Sequence, residues 1–150
     1  MLSKRDKSKP ETHSPLEFFD TVIGESTKIH GRLVLNAGIR IDGTVVGDIE
    51  SAKSSDISVA LGKNGVVEGD IHAHRILIAG QVEGNIYANE TVELHESAVV
   101  NGDVTYGHLI IQQGASLNGL MISRTGEKPS GYTDPNAVFV FNGDWKKVQE

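Results

Sequence analysis

His72, His74, His95 and His108 are the side chains of this 150-residue chain best suited to holding a metal ion. His72 and His74 alternate on one strand face, and the other two lie farther along. Three imidazoles near one surface could ligate zinc and leave a fourth position for water. Their spacing follows no ligand pattern, so histidines scattered over a surface is the better-supported reading. Two rows of acidic and amide side chains offer a second chemistry: Asp48, Asp70, Asn85 and Asp103 in one, Glu68, Glu83, Asn101 and Asn118 in the other. Stacked carboxylates could bind calcium, as in glycine-rich nonapeptide rolls, but the period is wrong and the paired glycines are missing. The amides dilute charges that would otherwise repel one another, which fits a solvated face. "LGKNG" (Leu61–Gly65) lacks the first glycine and the following Ser/Thr of a phosphate-binding loop, so no dependence on ATP or GTP is expected. With no cysteine there is no disulfide, thiolate ligand or thiolate nucleophile. The sequence therefore nominates no catalytic, cofactor-binding or metal-ligating residue, and no cofactor.

The elements beneath these side chains follow from a repeat. The pattern apolar-x-Gly-x-apolar occurs at Val45–Ile49, Val67–Ile71, Val82–Ile86, Val100–Val104 and Leu117–Met121, with an earlier cousin, "IHGRL", around Gly31. The central glycines Gly47, Gly69, Gly84, Gly102 and Gly119 are 22, 15, 18 and 17 residues apart. A second series of short apolar runs interleaves with the first: Thr21–Ile23, Ile39–Ile41, Ile57–Val59, Ile76–Ile78, Val92–Leu94 and Leu109–Ile111. Each run is too short for a helix, and its apolar residues fall at i and i+2, the period of a strand. Alternation puts Val82, Gly84 and Ile86 on one face, which aims the glycine inward, where a side chain would strike the opposite wall of a thin core. Residues 21–126 contain no proline, as continuous sheet requires.

Short strands, frequent turns and a period near 17 describe an all-β fold: a single-stranded parallel β-helix, or β-solenoid. It would have about six coils of three short strands each, beginning near Thr21, Ile39, Ile57, Ile76, Val92 and Leu109. At one inter-strand spacing per coil the column would stand roughly 29 Å tall. The 22-residue interval around "SAKSSD" and "LGKNG" implies looser corners on one coil. Aromatic residues are only 5%, so Val, Ile and Leu must build the core. A solenoid has two open ends, and uncovered end coils invite self-association. The first coil offers Val22, Ile23, Ile29 and Leu33 as a polymer interface, and the last offers Leu109, Ile111, Leu117 and Met121. The competing possibility is that "LEFF" and "AVFVF" fold over the ends. A left-handed hexapeptide β-helix enzyme, such as an acyltransferase or a trimeric zinc carbonic anhydrase, is the alternative from another function class. The spacings of 15 to 22 residues do not keep its strict sixes.

Composition divides the chain into three. Residues 1–20 hold Pro10, Pro15 and many charges and read as a disordered N-terminal tail, residues 21–126 as the β-helix, and residues 127–150, with Pro129 and Pro135, as a disordered or partly ordered C-terminal tail. The strand-like piece Ala137–Phe141 is more than a linker needs. Phe18, Phe19 and Trp145 read as local packing or partner-docking points. A net charge of −6 argues against a nucleic-acid partner. No apolar run approaches the length of a membrane span, and the N-terminus shows no secretory h-region, so a cytoplasmic location is expected.

"TVIGESTKIHG", "IRIDGTVVGDI" and the series "EGDI…EGNI…NGDV" resemble, in order and spacing, the central domain of the bactofilin family over residues 21–122. The resemblance implies a right-handed β-helix between disordered tails. It further implies nucleotide-independent, non-polar homopolymers that act as bacterial cytoskeletal scaffolds for cell-wall synthases or hydrolases or for cell shape. The family often carries a phenylalanine in its last coil, where this chain has Leu117. "MLSKRDKSK" resembles the membrane-targeting leader of some members, which makes Met1, Leu2, Lys4, Arg5, Lys7 and Lys9 the membrane-binding candidates. The chain would then be peripheral on the inner face of the cytoplasmic membrane, held by anionic lipid.

Overall fold

The computed structural model describes residues 19–52, 56–131 and 138–141. Every regular element among them is a strand, and the strands stack in three walls. The first wall carries β1 (Thr21–Ile23), β4 (Ile39–Ile41), β7 (Ser58–Leu61), the second halves of β9 (Ile71–Ile78) and β11 (Ile86–Leu94), β14 (His108–Ile111) and β17 (Ser130–Gly131). The second carries β2 (Lys28–His30), β5 (Thr44–Val46), β8 (Val66–Glu68), β10 (Gln81–Glu83), β12 (Val99–Asn101) and β15 (Ser116–Asn118). The third carries β3 (Leu33–Leu35), β6 (Ile49–Ser51), the first halves of β9 and β11, β13 (Val104–Tyr106), β16 (Leu120–Ser123) and β18 (Val138–Phe141). Each strand pairs in parallel with the strand one coil later, as at Ile39↔Val59 and Val82↔Val100. The chain is a parallel β-solenoid of six coils, and the coils begin where the apolar runs place them.

Alternation explains which side chains fill the column. In β4, Ile39 and Ile41 are buried while Arg40 between them is exposed. Repeated coil after coil, this gives inward files such as Ile41, Leu61, Ile78, Leu94 and Ile111 on the first wall. The second wall supplies one file: Ile29, Val45, Val67, Val82, Val100 and Leu117. Burying each branched side chain is worth roughly 1.5–3 kcal/mol, so the stacked files dominate the favourable side of folding. The loose coil is where the spacing places it, but at one corner and not two: six residues separate β6 from β7, whereas the Gly62–Gly65 corner after β7 is four residues long, as are those after β1, β11 and β14; residues 53–55 of "SAKSSD" lie outside the described residues.

The repeated glycines differ from the alternation reading. Val82 and Ile86 do point inward, but Gly84 is a corner residue between β10 and β11, with φ +156°. A Cβ built there would run into the carbonyl oxygen of Gly69 in the preceding coil, not into the opposite wall. Gly47, Gly69, Gly102 and Gly119 meet the preceding corner glycine, Gly31, Gly47, Gly84 and Gly102 respectively, in the same way. The constraint acts along the column axis: two backbones approach so closely at this corner that no side chain fits between them. Gly84→Val is expected to cost about 3 kcal/mol or more, read from the denaturant midpoint. Trimming the inward neighbour with Val82→Ala should not restore stability, as it would if the clash lay across the core.

Candidate functional site

The residues with chemical potential fall into ladders along the outside of the column. Immediately after four of the corner glycines, Gly47, Gly69, Gly84 and Gly102, stands an aspartate or asparagine. The Oδ1 of Asp48 accepts the backbone N–H of Asp70 at 2.9 Å, and Asp70 does the same for Asn85, Asn85 for Asp103, and Asp103 for Leu120, each at 2.9 Å. The neighbouring backbone bonds run between coils, as from Gly69 N–H to the Glu83 carbonyl at 3.0 Å. The corner leaves one N–H per coil without a backbone acceptor, and the side chain of the previous coil supplies it. These side chains are thus structural acceptors and not merely a solvated row. The signal was in the sequence, as an Asp or Asn directly after four successive motif glycines.

The second row pairs through amides. Asn101 Nδ2 donates to Glu83 Oε2 at 2.7 Å, and Asn118 Nδ2 to Asn101 Oδ1 at 2.7 Å. Hydrogen bonds from Gln81 and then Asn101 hold the Glu83 carboxyl below its ordinary pKa.

The histidines do not converge. His72 stacks on Tyr87 one coil later, with ring centroids 4.4 Å apart and planes 14° from parallel. His74 lies at the turn from third to first wall, its Nε2 3.2 Å from Glu90 and its Nδ1 3.6 Å from Asp56. His95 pairs with Glu93 at 3.1 Å and His108 with Glu127 at 2.6 Å. Arg75 Nε donates to Glu90 at 2.8 Å, and that bond is the main reason the Glu90 carboxyl sits below its ordinary pKa. Among the described residues, no group of three or more His, Cys, Asp or Glu is arranged to hold a metal ion.

The two ends differ. At the N-terminal end, β1, β2 and β3 have strand partners on one side only among the described residues. Ile29, Leu33 and Leu35 pack on the core but stay half-buried. Val22 points outward, 61% exposed, while Ile23 is buried. At the C-terminal end, β17 pairs with β14 and β18 with β16, which leaves β15 as the last strand of the second wall. Leu109, Ile111 and Met121 are buried there, and Leu117 is half-buried. Tyr106, in the fifth coil, is fully buried, and burial pushes its hydroxyl up to about 12. Sequence reasoning passed it over, although it follows Ala73 and Ala88 in a file of small residues. Met1, Leu2, Lys4, Arg5, Lys7, Lys9, Phe18 and Trp145 lie outside the described residues. No helix among the described residues is long and apolar enough to cross a membrane.

A column of parallel rungs locked by corner ladders, whose first coil has one-sided strand pairing among the described residues, defines a structural solenoid. Residues 21–121 match the family described as "Bactofilin: Polymer-forming cytoskeletal". Two curated relatives come from Myxococcus xanthus (strain DK1622). Bactofilin BacO is 38% identical over 112 residues, which cover 71% of this chain and 86% of the relative. Bactofilin BacP is 32% identical over 100 residues, 67% of this chain and 40% of the relative. No solved structure matches the chain significantly. The chain belongs to the bactofilin family of polymer-forming cytoskeletal proteins.

Removing one rung of the aspartate ladder tests its structural role. Asp70→Ala leaves the Asn85 N–H without an acceptor and should destabilise the protein by about 1–2 kcal/mol in chemical denaturation. Asp70→Asn, which keeps an acceptor oxygen, should stay near wild type.

Proposed function

We propose that this chain is a scaffold subunit whose copies join end to end into nucleotide-independent, non-polar filaments at the inner face of the cytoplasmic membrane. The observation that carries the reading is the first coil, where three strand edges stand unpaired among the described residues above the half-buried Ile29, Leu33 and Leu35. A second copy can satisfy those edges and cover those side chains, each worth roughly 1.5–3 kcal/mol before ordering costs. A twofold contact between like ends gives each subunit a reversed neighbour, so the resulting strand has no polarity. Val22, Ile23, Ile29 and Leu33 would line or support this contact. The opposite contact would form over Leu109, Ile111, Leu117 and Met121. Cell-wall synthases or hydrolases are the clients this reading favours, and cell shape the process served.

Membrane attachment is assigned to Met1 and Leu2 with Lys4, Arg5, Lys7 and Lys9. Each basic residue near an anionic surface contributes about 1 kcal/mol. One copy binds weakly, while a filament presents many copies and gains avidity.

Negative-stain microscopy of the purified protein should show filaments without nucleotide, and Leu33→Arg should shorten or abolish them while leaving the circular-dichroism spectrum intact. Monomers alone at every concentration and salt would refute the reading. In liposome flotation, deleting residues 2–9 should abolish recruitment to anionic vesicles but leave assembly in solution unchanged. Unchanged recruitment would remove the membrane assignment.

A further inference from the structure

The segment after the sixth coil does not simply leave the column. Arg124 N–H donates to the Tyr106 carbonyl at 2.7 Å, and Ser123 Oγ accepts the N–H groups of Thr125 at 3.3 Å and Gly126 at 2.8 Å. Thr125 Oγ1 donates to the Gly107 carbonyl at 3.1 Å. The Tyr106 hydroxyl reaches the Glu127 carbonyl at 3.4 Å, and the Glu127 carboxylate meets His108 Nδ1 at 2.6 Å. This clasp delivers β17 to the free edge of β14, at Ile110↔Ser130 and Ile111↔Gly131. Farther along, β18 takes the free edge of β16 over four residue pairs, Leu120↔Val138 through Ser123↔Phe141.

We infer that the C-terminal end of the column is a docking surface for a second copy, and that residues 124–131 together with β18 occupy it as a displaceable strap in the isolated molecule. The inference rests on the self-assembly reading above. A strand edge carries one row of N–H and C=O groups, so β14 and β16 cannot serve the strap and another subunit at once. The asymmetry of burial on the third wall marks the occupancy: Met121, on the strand that β18 pairs, is 1% exposed, whereas Leu33 and Leu35 at the opposite end of that wall are only half-buried. The strap is also built to yield. Its hold on the first wall is two residues long, and both Ser130 and Gly131 are exposed. Segments with so few buried contacts open at low free-energy cost. Ile110 and Leu120, on the strands the strap covers, remain 39% and 37% exposed and give an incoming copy apolar footing. A tethered strap acts at an effective concentration of about millimolar, so growth at this end begins only when subunits are crowded, as along a surface.

Gly131 supplies the test. Its φ is +92°, and a Cβ there would strike the Ile111 carbonyl, so Gly131→Val dislodges β17 without altering the sixth coil. Sedimentation velocity and negative-stain microscopy should then show the critical concentration for filaments falling about tenfold below wild type. In the opposite direction, Ile110→Cys with Ser130→Cys joins two register partners in a chain that otherwise has no cysteine. Oxidised, this variant should stop at paired subunits joined by their N-terminal ends; reduced, it should elongate as wild type does. Wild-type elongation by both Gly131→Val and the oxidised variant would overturn the strap while leaving self-assembly standing. Failure of every form, Gly131→Val included, to exceed a monomer would overturn both.

Discussion

The corner where second wall meets third sets the terms for the rest of the molecule. There each glycine lies so close to the glycine of the previous coil that a carbonyl oxygen occupies the place of a side chain. That approach fixes the vertical spacing and holds the coils in register. Register in turn decides whether Ile and Val point inward, because a one-residue slip would turn every strand inside out. The aspartate and asparagine ladder follows from the same corner, since a chain turning this tightly leaves an N–H that no backbone carbonyl reaches. Glycine and Asx are therefore two halves of one solution, the first permitting the approach and the second completing its hydrogen bonds.

Because the coils are nearly equivalent, the middle of the column satisfies itself, whereas the first coil, among the described residues, does not. In most folds, function gathers where side chains converge. Here the sides carry pairwise contacts: an imidazole on a phenol ring at His72 and Tyr87, Arg75 and His74 on Glu90, amide on carboxylate at Asn101 and Glu83. Unpaired backbone, among the described residues, gathers at the first coil, and the membership of a polymer-forming family accords with that distribution.

Much of this was legible in the sequence. The i, i+2 alternation of Ile39 and Ile41, repeated coil after coil, gave the walls, the winding and the core. The direction of Gly84 was not legible, because alternation holds within a strand and fails at a corner, where the chain changes wall. The recurrence of Asp or Asn after the motif glycines was legible, but the role of Asp70 was not: a row of solvated carboxylates and a row of hydrogen-bond acceptors have the same spacing, and only the position of the neighbouring N–H separates them. The pairing of β17 was beyond reach, since Ser130 and Gly131 form a strand of two residues with no pattern to read.

β9 and β11 are the long strands of the structure, of eight and nine residues, and they pass from the third wall into the first without the turns that interrupt other coils. They lie side by side, in register except for one irregularity between Ala88 and Thr91. The centre of each subunit is thereby braced like a keel, with its bending compliance displaced toward the terminal coils. In a chain of such subunits, curvature would concentrate at the joints, and the persistence length would be governed by how well those joints fit.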